Sequence, residues 1–390
     1  MPSLSHRVGR FTESVIRRMT RISDAHGAIN LSQGFPDFDP PQELMRALSE
    51  VAWTGPHQYA VTYGAEDFRQ ALADKHAIFS GQWVNPETEI LITCGGTEAM
   101  ICAMMAVCNP GDKVIVFSPF YENYAADAIL SGAEPIYVPL VPPDYHIDRE
   151  RLEAAFRLGP KAIIICNPSN PCGKVFIREE LLYIGGLAES ADCFVITDEV
   201  YEHIVYAPHV HTHFAALPGM AERAITCSSL SKTYSITGWR IGYLMGPPEA
   251  VDAARKVHDF LTIGAAAPLQ AAALPGLRFG RDYYHGLQAL YTQKKDFFLK
   301  GLDSIGLAHN DPQGAYFVMV DISEILARPQ FAGMDDTAFC EWMIAHIGVA
   351  TVPGSSFFRD GGGQYIRLHF AREQHTLAQA LERLSRLADA

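Results

Sequence analysis

The chain is predicted to fold as an α/β protein: a mainly parallel seven-stranded sheet with helices on both faces, and a smaller α/β region beside it. Three observations lead there. The first is a series of seven short apolar runs, Glu89 to Thr93, Lys113 to Phe117, Glu134 to Val138, Ala162 to Cys166, Cys193 to Thr197, Ala224 to Cys227 and Ile241 to Met245, separated by amphipathic stretches. Strands covered on both faces read as such runs, and regular alternation with helices implies parallel pairing. The second is size, since 390 residues that are 48% hydrophobic and 19% charged can bury a large core and form two domains. The third is the turn Asn167 to Gly173, rich in Pro, Asn and Gly, which leaves the end of the run Ala162 to Cys166. Turns beyond the carboxyl ends of strands are where such sheets bind ligands.

Taken in order, the first helix carries Arg7, Arg10, Arg17, Arg18 and Arg21, a basic face that imitates a transit peptide except that Glu13 interrupts it. Leu31 to Pro41 reads as a loop stiffened by three prolines. Gly95-Gly96-Thr97-Glu98-Ala99 is a glycine turn opening a helix. The aromatic cluster Ser118 to Tyr124 follows the strand Lys113 to Phe117, and either core packing or a ligand face suits it. Asp198 ends the run Phe194 to Thr197, with Tyr201 just beyond. A long helix near Leu277 to Ser304 joins a large domain, 49–275, to a small one assembled from 1–48 and 276–390. In the small domain, Pro312 to Tyr316 and Val352 to Ser355 mark turns bounding strands, Asp360 to Gly363 an exposed loop, and the leucines of Thr376 to Leu387 a helical packing face. Arg367 lies inside the apolar strand Tyr365 to Phe370, where a guanidinium needs an anionic partner, structural or substrate.

Composition excludes several classes. With 31 Lys and Arg against 44 Asp and Glu, the net charge of -13 argues against nucleic acid as the main partner. No Gly-x-Gly-x-x-Gly turn follows an early strand, which disfavours a dinucleotide. Eight scattered cysteines contain no Cys-x-x-Cys pair, so reduced, buried thiols are expected and no metal site. No apolar run reaches the roughly 20 residues of a membrane span, and no secretory segment is evident near Met1; a cytoplasmic protein is expected.

The chemistry concentrates in Ser228-Ser229-Leu230-Ser231-Lys232-Thr233-Tyr234 and the following Gly238-Trp239-Arg240. Serine hydroxyls and backbone N–H groups donate to a phosphate, and the planar fork of Arg240 suits the same oxygens. Beside such a site Lys232 can form a Schiff base with an aldehyde cofactor, provided its pKa falls below the free value of about 10.4. A polar loop with a surface ion pair is the alternative for this segment alone.

Gly95 to Ala99, Asn167 to Gly173, Asp198-Glu199-Val200-Tyr201, the Ser-x-Ser-Lys segment with its arginine, and Tyr365-Ile366-Arg367-Leu368 occur in this order. Over nearly its whole length the chain thereby resembles the class I/II pyridoxal-phosphate-dependent aminotransferases of fold type I, the aspartate aminotransferase superfamily. The resemblance implies pyridoxal 5′-phosphate as cofactor and Lys232 as its Schiff-base lysine and the general base for the α-proton. Asp198 would face the pyridine nitrogen, Asn170 and Tyr201 the phenolic oxygen, and Tyr121 the ring face. Gly96, Thr97, Ser229 and Arg240 would hold the phosphate, joined across a dimer interface by Tyr59. Arg367 would grip the substrate α-carboxylate.

Leu31 to Pro41 resembles the kynurenine, glutamine and methionine aminotransferase branch, which implies that Gly34 and Phe35 touch substrate with Tyr124 and Asn170 and that this segment moves on binding. Dicarboxylate-specific relatives carry a distal cation in the stretch matching Val257 to Leu277 or beside the phosphate turn; here the first holds Thr262-Ile263-Gly264 and the second Thr97. Phe11, Phe35, Tyr59, Tyr124 and Phe357 instead suggest an aromatic, sulfur-containing or other uncharged side chain. The expected reaction is ping-pong transfer of an amino group to a 2-oxo acid by a homodimer with shared sites, binding neither membrane nor nucleic acid. A cysteine-S-conjugate or cystathionine-type β-lyase is the alternative, since it begins with the same α-proton loss, and a non-enzymatic sensing domain is a weaker one.

Overall fold

The computed structural model describes residues 2 and 5–388. The outermost residues of the expected small domain, 1, 3, 4, 389 and 390, lie outside the described residues. Strands follow in the order β1 (Ile29–Asn30), β2 (Ile90–Thr93), β3 (Lys113–Ser118), β4 (Glu134–Val141), β5 (His146–Ile147), β6 (Ala162–Cys166), β7 (Phe194–Asp198), β8 (Ala224–Ser229), β9 (Gly242–Met245), β10 (Phe317–Asp321), β11 (Val349–Ala350), β12 (Val352–Pro353) and β13 (Tyr365–His369).

The main sheet runs β2-β9-β8-β7-β6-β3-β4-β5. Neighbours from β8 to β4 are parallel, whereas β9 is antiparallel to both β2 and β8. All seven expected strands are present, and β5 makes an eighth. The run expected to stop at Val138 continues to Val141, and its extra length lets His146–Ile147 fold back antiparallel on it. Between β3 and β6 the strand order reverses, so the segments leaving their carboxyl ends diverge and open a crevice.

Alternation along each strand sends side chains to opposite cores. Ile164, Cys166 and Ile196 pack with the helices Gly96–Val107, Asn123–Leu130 and Pro248–Thr262. Ile163, Ile165 and Val195 pack with Arg149–Phe156 and Arg178–Ser190 on the other face. Asp198, two residues beyond Ile196, therefore faces the first of these layers. Its β-branched, wholly buried neighbours in β6 and β7 suit central strands.

A three-stranded antiparallel sheet, β10-β13-β12, and the parallel pair β1-β11 form separate smaller sheets. Ile366 and Leu368 join a core that includes Tyr291, Phe298 and Leu302 of the long helix Arg281–Ser304. That helix starts later than expected, because Leu277 ends a separate helix, Ala267–Leu277, and Gly280 caps the next. The C-terminal helix, Gln374–Leu384, buries Leu377, Ala380 and Leu384, as leucine spacing predicted.

Among the described residues one buried carboxyl oxygen lacks a hydrogen-bond partner. Asp127, on the helix Asn123–Leu130, is buried and its Oδ2 has no hydrogen-bond partner. Burial first, then the nearby Asp198 charge, pushes its carboxyl up to about 8. The folded state therefore holds a proton that the unfolded chain releases near pH 4, so this group destabilises the fold increasingly as pH rises from about 4 to about 8. Asp127→Asn is expected to raise the denaturation midpoint at pH 8 by the equivalent of about 1 kcal/mol or more, and to change it little at pH 4 to 5. Chemical unfolding of both proteins across this range checks the slope.

Candidate active site

A cavity of about 440 Å³ opens at the carboxyl ends of the parallel strands. It brings together Gly34, Phe35, Gly96, Thr97, Tyr121, Tyr124, Asn170, Asp198, Tyr201, Ser229, Lys232, Arg240 and Arg367. Every residue expected to hold the cofactor or to touch substrate therefore lines it except Tyr59, which is 82% exposed elsewhere on this chain.

Asp198 is the terminal residue of β7 and is 8% exposed. Tyr124 Oη donates to its Oδ2 at 2.7 Å and Val200 N to its Oδ1 at 3.3 Å. Burial raises the carboxyl above its ordinary range, opposed by these two donors and the Lys232 charge. Next to it, burial would raise Glu199 as well, but hydrogen bonds from His211 and His213, each 2.9 Å away, hold it well below the usual carboxylate range. Tyr201 stands edge-on to Tyr316, with ring centroids 5.1 Å apart and planes at 86°.

Lys232 is on the single turn Leu230–Thr233, which Ser229 caps by accepting from Ser231 N at 3.3 Å. Its Nζ donates to Gly34 O at 3.1 Å and lies 5.8 Å from the Tyr201 ring centroid. Tyr316 Oη donates to the same carbonyl at 2.8 Å. Glycine is required at position 34, because a Cβ would come within 2.6 Å of the Phe317 ring.

The helix Gly96–Val107 points its N-terminus into the cavity, and its first amides have no intrahelical acceptor. Gly95 precedes it at φ 85°, and a Cβ there would meet Arg240 Nη2 at 2.3 Å. Arg240 itself adopts a left-handed backbone, φ 57°, unusual for a residue with a side chain. This turns its guanidinium over Gly95, where Nη1 donates to Thr237 O at 2.9 Å and Nη2 to Cys94 O at 3.4 Å. Glu98 ties the turn down, accepting from Cys94 N and Thr262 Oγ1 and bonding His258 Nδ1. Free helix amides, the Ser229 hydroxyl and a guanidinium folded over a glycine form a cradle for a dianionic phosphate.

Arg367, in the middle of β13, is 1% exposed. Its Nη1 donates to Asn170 Oδ1 at 2.7 Å and its Nη2 to Ser32 O, while Nε has no partner. Phe317 and Phe357 flank the guanidinium carbon at 4.3 and 4.7 Å. Burial pushes its pKa down to about 10. No carboxylate pairs with it among the described residues, so the strand's buried cation faces a cavity able to admit one.

Of the aromatic residues taken as the basis for an uncharged side-chain pocket, only Phe35 and Tyr124 line the cavity. Phe357 lies behind Arg367, and Phe11 and Tyr59 are elsewhere on the chain, because the N-terminal segment enters the cavity only from Ser14 onward. Sequence reasoning missed Ser14, Ile16, Arg17, Met100 and Phe317 as lining residues. Helical spacing distinguishes Ile16 and Met19 as the first helix's buried side, but nothing in the sequence tells what lies against it.

These donors fit a phosphorylated pyridine aldehyde: a phosphate cradle, a lysine amine, a buried carboxylate and a buried cation share one cavity. Residues 26–384 match the aminotransferase class I and II family. The chain is 36% identical over 375 residues to methionine aminotransferase of Escherichia coli (strain K12), covering 96% of each. It is 32% identical over 394 residues to Homo sapiens kynurenine–oxoglutarate transaminase 1, covering 93% of each. Its fold superposes on N-succinyldiaminopimelate aminotransferase from Mycobacterium tuberculosis with a TM-score of 0.93 at 34% identity, covering 99% of this chain and 100% of that one. The chain is a pyridoxal-phosphate-dependent aminotransferase and belongs to the aminotransferase class I and II family.

Proposed function

We propose that the enzyme moves the amino group of an L-amino acid with an uncharged side chain, aromatic or sulfur-containing, to a 2-oxo acid in a ping-pong cycle on Lys232. The observation that carries this is the meeting of Lys232, Asp198 and an acid-free Arg367 in one cavity. When bound, pyridoxal phosphate supplies an electrophilic carbonyl and a cationic ring that accepts the electron pair left when the substrate's Cα–H bond breaks. The chain's residues do the rest. Arg367 takes the α-carboxylate through its bidentate fork, with Asn170 holding the guanidinium in position. Lys232 would hold the cofactor through its Nζ, and the same amine, when free, is the base that would take the proton from the substrate's Cα. Asp198, whose ionised form Tyr124 and Val200 N favour against the effect of burial, would set a negative charge against the ring nitrogen. Asn170 and Tyr201 address the ring's phenolic oxygen, Tyr121 its face, and Gly96, Thr97, Ser229 and Arg240 its phosphate.

Phe35, Tyr124, Met100, Ile16 and Phe317 give the cavity the apolar walls that favour an uncharged donor. The relatives named above are transaminases, which weighs against the carbon–sulfur lyase alternative. The exposure of Tyr59 is what a homodimer would need if this tyrosine reaches the partner's phosphate. We divide the chain at the long helix into a large unit, 49–275, and a small one, 1–48 with 276–390. Eight free cysteines suit a reducing cytoplasm, and no helix among the described residues is long and apolar enough to cross a membrane.

Mixing holoenzyme with single amino acids and following conversion of the pyridoxal spectrum to the pyridoxamine form is expected to rank methionine or aromatic donors above aspartate. Pyruvate and thiol released without an acceptor would revive the lyase. Lys232→Ala is expected to lower the half-reaction rate at least a hundredfold, the scale of a lost general base. Tyr124→Phe removes a donor that favours the ionised form of Asp198, so its carboxyl pKa rises further. Cofactor retention that depends on the carboxylate is then lost at a higher pH as the solution is acidified, measurable by equilibrium dialysis across pH 4 to 8. Gly95→Ala introduces a left-handed alanine, costing about 1–2 kcal/mol, and displaces Arg240. Its apoenzyme is expected to bind the cofactor at least tenfold more weakly, read by fluorescence titration.

A further inference from the structure

The first helix, Val15–His26, presents several arginines, and the structure accounts for them unequally. Arg18 pairs with Glu341, and Arg21 pairs with Glu13 through bonds of 2.6 and 2.9 Å. Arg17 has no carboxylate partner among the described residues, and it alone of the three lines the cavity. Glu13, whose carboxyl the Arg17 charge helps hold low, is engaged by Arg21, and Glu122, which lines the cavity, accepts from Ser14 Oγ through Oε1 and from Val15 N, at 3.2 Å, through Oε2. Burial of Ile16 and Met19 fixes the helix roll, and Arg17, about 100° further round than Ile16, falls at the cavity's mouth. Arg17, Tyr121 and Arg367 all line this cavity.

The cavity therefore holds four cationic side chains. Lys232 and Arg240 serve the cofactor and Arg367 the α-carboxylate, which leaves one over. We infer that Arg17 is a specificity-determining residue that binds the distal carboxylate of a dicarboxylic partner substrate, a 2-oxo diacid of about five carbons accepting the amino group that an uncharged donor has left. This inference rests on the transaminase reading above.

One cavity accommodates both substrates for a physical reason. Arg17 is exposed, so an uncharged donor side chain displaces the guanidinium into solvent without burying an unpaired charge. A diacid instead meets it with a bidentate pair.

The test compares ligands of equal length that differ only in the second carboxylate. Glutarate and pentanoate are titrated into wild-type, Arg17→Gln, Arg17→Lys and Arg18→Gln holoenzymes, and the amino-acceptor kcat/KM is measured for 2-oxoglutarate against 2-oxopentanoate. Arg17→Gln is expected to weaken glutarate about tenfold more than pentanoate and to lower the acceptor selectivity ratio by a similar factor. Arg17→Lys is expected to recover part of both, and Arg18→Gln, which changes net charge equally, to shift neither ratio. A change in either ratio below threefold for Arg17→Gln, or an equal change for Arg18→Gln, overturns the assignment. Wild-type protein that took an amino group from no amino acid would instead overturn the transaminase reading, while the glutarate and pentanoate affinities would still report on Arg17.

Discussion

The carboxylate of Asp198 is the constraint around which the rest is arranged. It sits at the end of a strand buried on both faces, where an ionised group is costly unless hydrogen-bonded. Two donors, Tyr124 Oη and Val200 N, and the charge of Lys232 oppose that cost, yet the balance still favours its protonated form more than water would. A cationic ring placed against it would complete the compensation.

Arg367 is the counterpart of opposite sign. Flanked by Phe317 and Phe357 and bonded only to neutral oxygens, it waits for an anion in surroundings too apolar for water to substitute well. Its strand belongs to the small antiparallel sheet, whereas Asn170, which steadies it, leaves the main sheet after β6. One hydrogen bond therefore ties the buried cation of the small sheet to the turn that leaves the main sheet.

The phosphate cradle works by exclusion of atoms. Gly95 leaves space for the Arg240 guanidinium, and Gly242 lets β9 press against the same turn, where a Cβ would lie 2.3 Å from Gly95 C. Glu98, with His258 and Thr262, anchors the turn from beneath. Such a cradle tolerates little substitution, because each missing side chain is occupied by a neighbour's polar group.

The main sheet was legible in the sequence because its strands are continuous apolar runs that only a doubly covered sheet can bury; β5 was not, since two residues carry no period. Motif residues were legible too, because the turns after β6 and β7 have compositions that few other structures need. What the chain order alone determined was which groups stand at strand ends: Asp198, Asn170, Lys232 and Arg240. What only the tertiary structure decided was which of the first helix's arginines faces the cavity, why Phe357 supports Arg367 instead of lining the pocket, and that Tyr124 bonds Asp198. Those outcomes depend on how elements distant in sequence pack, and side-chain direction across such contacts is set by the roll of a helix against its neighbour, which no local pattern encodes.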